Sequence, residues 1–112
     1  MAHKYRAVRT EVDGIAFHSK MEAAYYCLLK LMLRAGEIKG FRSQVTYKLQ
    51  GGIKYIVDFV VERLDGAIEP IEIKGVMTQA GRIKIKLFQE LYGLPVRVLT
   101  LKKGKWEERR VR

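Results

Sequence analysis

The chain has 112 residues, enough for one hydrophobic core and not for two, so a single domain spanning 1–112 is expected. Its apolar fraction of 48% suits a globular protein, and no run approaches the roughly 18 to 20 apolar residues of a membrane-spanning helix, so no membrane partner is expected. The 22 Lys and Arg against 12 Asp and Glu leave a net charge of +10, which points to a polyanionic partner, DNA first. The basic residues are spread from Lys4 to Arg112 and do not gather on one amphipathic face, which disfavours a membrane-surface role. Cys27 is the single cysteine, so neither an intrachain disulfide nor a cysteine zinc site can form. With no apolar secretory segment after Met-Ala-His-Lys-Tyr-Arg, a reducing, cytoplasmic location is expected.

Residues 1–13, with Lys4, Arg6 and Arg9, read as a basic N-terminal arm or short edge strand ahead of a turn at Asp13-Gly14. Ser19-Lys20-Met21-Glu22 then opens an apolar run to Leu33 that Arg34 and Gly36 close, which predicts a helix over 19–35. Tyr25, Leu28 and Met32 lie along one side of it and Tyr26, Leu29 and Leu33 along another, so burial on two sides is expected, by a sheet and by a second subunit. Gln44 to Leu49 reads as a strand, Gly51-Gly52 as a turn, and Tyr55 to Val61 as a strand with Tyr55, Val57, Phe59 and Val61 on one face. Asp65-Gly66 turns the chain into a third strand, Ile71-Glu72-Ile73-Lys74, where Pro70 is restricted to the start or a bulge. Thr78 caps a second helix with core positions Ile83, Leu87 and Leu91, closed by Gly93 and Pro95. Val96 to Leu101 is the last strand, and 102–112 a basic C-terminal tail. The order α-β-β-β-α-β predicts an α/β fold in which a mixed central sheet is flanked by helices and the final strand-helix-strand unit crosses over right-handed.

The chemistry concentrates in the second and third strands. Alternation puts Glu72 and Lys74 on one side of their strand, and the Asp65-Gly66 hairpin brings that strand beside the one carrying Asp58. A carboxylate among the apolar neighbours of Tyr-Ile-Val-Asp-Phe-Val-Val is costly unless compensated, and a divalent cation shared by Asp58 and Glu72 would compensate it. Oxygen ligands favour Mg2+, with Mn2+ able to substitute, over zinc. Such an ion lowers the pKa of water to about 7 and neutralises developing phosphate charge, while Lys74 would hydrogen-bond the attacking water or stabilise the transition state.

Asp58 followed by Glu72-Ile73-Lys74 resembles the signature of the PD-(D/E)XK nuclease superfamily, with Val57 where the signature has proline. The resemblance spans residues 14–101 and extends to a helical acid, Glu22, as in phage endonuclease I, Holliday-junction resolvases and other small phage nucleases. It implies a restriction-endonuclease-like core and a catalytic set of Glu22, Asp58, Glu72 and Lys74. It also implies metal ligation by Asp58, Glu72 and the Ile73 carbonyl. The location it implies is the host cytoplasm if the protein is phage-encoded.

Other readings stand beside this one. Glu37-Ile38-Lys39-Gly40 repeats the letters of Glu72-Ile73-Lys74-Gly75, but no acidic strand precedes it. Ser19 and Glu22 also spell a capping box, so Glu22 is either a helix cap or a member of the acidic cluster. His3 and His18 are assigned no role. Arg82, Lys84 and Lys86 on the second helix are expected phosphate contacts, Lys84 foremost, against a solvated helical face; Gln44 either reaches the scissile phosphate or is an ordinary edge-strand residue. Trp106 either stacks on a base or covers the core. The expected function is a Mg2+-dependent endonuclease acting on branched or duplex DNA as a homodimer, since one such site cuts one strand at a time. The alternatives are a catalytically inactive nuclease-fold DNA-binding accessory protein and a restriction or mismatch-repair endonuclease, for which 112 residues leave little room.

Overall fold

In a computed structural model of the chain, residues 8–112 are described; Lys4, Arg6 and His3 of the expected arm lie outside them. Asp13 and Gly14 both adopt positive φ, 53° and 76°, the left-handed pair a two-residue hairpin turn requires. The turn folds β1 (Thr10–Val12) back on β2 (Ile15–Phe17) as a small antiparallel sheet. Asp13 ties this hairpin to α1 (Lys20–Arg34) by accepting the Tyr26 hydroxyl at 3.0 Å and pairing with Lys30.

The main sheet comprises β3 (Gly40–Lys48), β4 (Lys54–Glu62), β5 (Ile68–Ile73), β6 (Arg97–Lys102) and β7 (Lys105–Arg110), side by side in that order. Every pairing is antiparallel except β5 with β6, which α2 (Gln79–Tyr92) connects as a crossover. The expected α-β-β-β-α-β core is therefore present, with a helix on each face of a mixed sheet. Tyr25, Tyr26 and Leu29 of α1 pack with Phe59, Val61, Ile71, Ile73 and Leu99 on one face. Ile85 and Phe88 of α2 pack with Tyr55, Val57, Val60, Val96 and Val98 on the other.

Four expectations change. The segment 102–112 is not simply a tail: Lys103 and Gly104 turn at φ 50° and 76°, and 105–110 returns as edge strand β7. Its one large apolar residue, Trp106, packs edge-on against Tyr25 at 5.0 Å and so covers the core, while Arg97 bridges Glu69 on β5 (3.3 Å) and Glu108 on β7 (2.8 Å). Pro70 sits within β5, opposite Val60. The Ile73 amide faces β4 and the Lys74 amide faces β6, so the amide that Pro70 lacks would point to β6, whose ladder begins only at Ile71↔Arg97. On α2 the buried positions are Ile85 and Phe88, whereas Ile83 and Leu91 are 50% and 49% exposed and Leu87 is half-buried. The helix carries two apolar stripes, and the one bearing the aromatic ring wins because Phe88 fills the space between Tyr47 and Tyr55.

The fourth change bends the sheet. Tyr55 and Val57 pack on the α2 side and Phe59 and Val61 on the α1 side, although all four would share a face in an unbroken strand. The partner strand switches too, with Phe41 on the α1 side and Val45 and Tyr47 on the α2 side. Pairing runs in constant register through Ser43↔Phe59 and resumes at Val45↔Val57, skipping Gln44 and Asp58. Gln44 there adopts φ 55°, a left-handed conformation that costs a non-glycine residue about 1–3 kcal/mol.

The choice of stripe on α2 is directly measurable. Phe88→Ala is expected to destabilise the fold by about 3–5 kcal/mol in urea unfolding, and Leu91→Ala by less than about 1 kcal/mol. Comparable losses would contradict the packing described.

Candidate functional site

The break at Gln44 and Asp58 opens a cleft of about 410 Å³ lined by His18, Glu22, Gln44, Thr46, Ile56, Asp58, Glu72, Ile73 and Lys74. The β4–β5 ladder runs in register from Glu62↔Ile68 to Phe59↔Ile71 and stops there. One further step of that register would set Asp58 against Glu72. Instead the Ile73 amide donates to Asp58 Oδ2 at 2.8 Å, so the side chain takes the place of a ladder bond and the strands part around it.

Glu72 is 5% exposed and held at both ends: Oε1 accepts the Tyr55 hydroxyl at 3.0 Å, and Oε2 lies 3.4 Å from Lys74 Nζ. The Lys74 backbone is fixed in turn by Thr100, whose hydroxyl donates to its carbonyl at 2.5 Å, and by its own amide, which donates to the Leu99 carbonyl at 3.0 Å. The Lys74 ammonium reaches the first turn of α2, where a Cβ on Gly81 would stand 3.8 Å from it and 3.1 Å from Thr78 Oγ1. A side chain at 81 would thus crowd both the helix cap and the lysine.

Glu22 arrives from the first turn of α1. Ser19 forms its half of the capping box by accepting the Glu22 amide at 3.1 Å. The Glu22 side chain is 7% exposed and lines the cleft, and its Oε2 has no hydrogen-bond partner among the described residues. Ordinary capping does not account for an orphaned carboxylate oxygen.

The electrostatics follow from burial. Desolvation pushes the Asp58 carboxyl up to about 8, and the neighbouring charges of Glu72 and Glu22 push in the same direction. Burial also raises Glu72, against the pull of Lys74 and Tyr55, and raises Glu22. Tyr55 is raised by its own burial and by Glu72. Fully ionised, the three acids would carry more negative charge than one lysine balances. Among the described residues no three His, Cys, Asp or Glu side chains form a ready metal cage. Half-buried Asp58 and buried Glu72, with a third acid bearing an orphaned oxygen, nevertheless form an all-oxygen set with Lys74 as its one close cation among the described residues. That chemistry fits Mg2+ or Mn2+.

The structure therefore brings Glu22, Asp58, Glu72, Ile73, Lys74 and Gln44 to one cleft and leaves Arg82, Lys84 and Lys86 outside it, exposed on α2. The Gln44 amide donates to the Ala16 carbonyl at 3.1 Å, fastening β3 to the β1–β2 hairpin. In the other Glu-x-Lys triplet, at 37–39, Ile38 is buried while Glu37 and Lys39 are exposed, and Lys39 pairs with Glu62 at 3.7 Å, away from the cleft. Sequence reasoning missed Tyr55 and Thr100, whose only signal was a polar tip in an apolar strand. It also missed Thr46 and Ile56, which line the cleft because of the bend.

The chain belongs to the family described as protein of unknown function (DUF1064), which matches residues 2–108. No curated protein matches it. The crystal structure of SSO0001 is similar at 14% identity and a TM-score of 0.48, over 80% of this chain and 49% of that one, so the chain spans about half the length of that protein.

Burial of the acids sets a pH dependence. The folded protein keeps protons on Asp58 that the unfolded chain releases from 3.8 upward, so it binds more protons than the unfolded state and loses stability as pH rises toward about 8. Denaturant unfolding in a chelator is expected to show a less stable protein at pH 8 than at pH 5, and Asp58→Asn to flatten that slope. A rise in stability over the interval would contradict the electrostatics.

Proposed function

We propose that this DUF1064 chain is a metal-dependent endodeoxyribonuclease of the PD-(D/E)XK type. Its reaction is hydrolysis of phosphodiester bonds in DNA, branched or Holliday-junction DNA foremost, by a homodimer in the cytoplasm, that of the host if the protein is phage-encoded. One observation carries the reading: half-buried Asp58 and buried Glu72 share a single cleft at the point where their strands part, with Lys74 against Glu72 and the unpartnered Glu22 oxygen in the same wall. A DNA-binding module without catalysis has no use for three acids crowded into one cleft, where the charges of Glu72 and Glu22 help raise the Asp58 carboxyl.

Asp58 and Glu72 would hold Mg2+ or Mn2+, with the Ile73 carbonyl as a further oxygen donor and Glu22 completing the acidic wall. When bound, such an ion lowers the pKa of water and offsets charge on phosphate. Tyr55 and Lys74 orient the Glu72 carboxylate, and the Ile73 amide orients that of Asp58. The Lys74 ammonium, anchored through its backbone, is placed to donate a hydrogen bond to a phosphate oxygen or to the attacking water. The net charge of +10 draws the polyanion to the surface. Among the described residues no helix is long and apolar enough to cross a membrane.

Purified protein is expected to nick four-way junctions in Mg2+ or Mn2+ and to be inactive in chelator. Glu72→Ala and Lys74→Ala should each lower the cleavage rate by about 10²-fold or more while DNA still binds. Cleavage that persists in both variants would refute the assignment. A panel of junction, flap, duplex and single-stranded DNA identifies the substrate geometry.

A further inference from the structure

The β3–β4 hairpin extends past the bend with only one face covered. Beneath it, Val45, Tyr47, Leu49, Tyr55 and Val57 pack against α2, and the Tyr92 hydroxyl donates to the Lys48 carbonyl at 2.8 Å. The residues that alternate with these, Thr46, Lys48, Lys54 and Ile56, are all exposed on the opposite side. Thr46 pairs with Ile56 and Lys48 with Lys54, so two lysines occupy directly opposite positions on the ladder. Like charges in that position destabilise a sheet. Neither lysine makes an ion pair among the described residues, and residues 1–7 contain no Asp or Glu. The repulsion is therefore uncompensated within the chain. Thr46 and Ile56 also line the acidic cleft, so the lysine pair and the candidate catalytic acids lie along one continuous surface.

The geometry points to this hairpin face as the track on which the phosphate backbone of DNA is held as it enters the cleft, an inference that rests on the nucleic-acid reading above. A bound phosphate between Lys48 and Lys54 removes the repulsion that the free protein carries. Because α2 packs the underside, the platform is rigid before the ligand arrives, and little ordering cost attends binding. At roughly 3.3 Å per residue, the lysine pair stands about 13 Å along the strands from Gln44 and Asp58. It would thus hold backbone a few nucleotides from the bond that is cut. Arg82, Lys84 and Lys86 belong to the helix on the other face of the sheet, so this inference places the principal contact elsewhere than on α2.

Fluorescence anisotropy of labelled duplex and junction DNA, with Ca2+ in place of Mg2+ and salt varied from 50 to 200 mM, tests it. Lys48→Gln/Lys54→Gln is expected to weaken binding about tenfold and to lower the slope of log K against log salt by about 2. Lys54→Glu gives the sharper result: it relieves the cross-strand repulsion, so the protein should melt at a higher temperature and yet bind DNA more weakly, which a folding defect cannot produce. Arg109→Glu, the same change in net charge on the exposed edge strand β7, should stay within about twofold of the parent. Parental affinity and salt slope in both hairpin variants would overturn the proposal, as would a loss seen only with Lys84→Gln. Wild-type protein that binds no DNA at all would overturn the nucleic-acid reading itself.

Discussion

Burying a carboxylate strips it of water at an effective cost of several kcal/mol, and here Glu72 is buried and Asp58 half-buried within reach of its charge. The surroundings are arranged to hold them. The Ile73 amide gives up a ladder partner to bind Asp58, Tyr55 and Lys74 take the two oxygens of Glu72, and Thr100 fixes the Lys74 backbone. These contacts set the positions of the two groups without neutralising them. On the proposed reading, a bound cation would take the place of the proton that the raised Asp58 carboxyl otherwise retains.

The bend at Gln44 and Asp58 makes these acids accessible. In a continuous sheet a carboxylate at position 58 would lie under one helix or the other. Here two strands switch faces at the same rung without losing register, so the ladder parts and leaves a cleft. A left-handed φ at Gln44 maintains the switch, and the hydrogen bond that the Gln44 side-chain amide donates to the Ala16 carbonyl ties it to the β1–β2 hairpin. Local strain at the cleft is offset by packing on either side of it, α1 covering one half of the sheet and α2 the other. The same bend leaves one face of the β3–β4 hairpin bare, with two lysines opposed on it.

How far the site could be read from the letters depends on the range of the interactions involved. Asp58, Glu72 and Lys74 converge through a short hairpin and the alternation of strand side chains, both properties of neighbouring residues. Glu22 is different: its place three residues after Ser19 satisfies a capping pattern, and only the packing of α1 shows its carboxylate turned into the cleft with an oxygen unpartnered. Tyr55 looks like one more strand aromatic until its hydroxyl is seen on Glu72.

Length, charge, the two helices and the strands that build the core follow from the sequence alone, because periodicities of 2 and 3.6 residues and turn chemistry at Asp13-Gly14, Asp65-Gly66 and Gly93 are local signals. What the tertiary structure decided is where two local solutions were equally good or where no local signal exists. The Phe88 stripe of α2 is chosen over the Leu91 stripe by the shape of the sheet it meets. Strand β7, nearly devoid of apolar residues, is recruited by Trp106 packing on Tyr25 and by Arg97 pairing with Glu108. The face switch at Gln44 leaves no trace in the letters, since a glutamine does not announce a left-handed backbone. Each of these depends on contacts between residues distant in the chain, and sequence periodicity carries no information about such contacts.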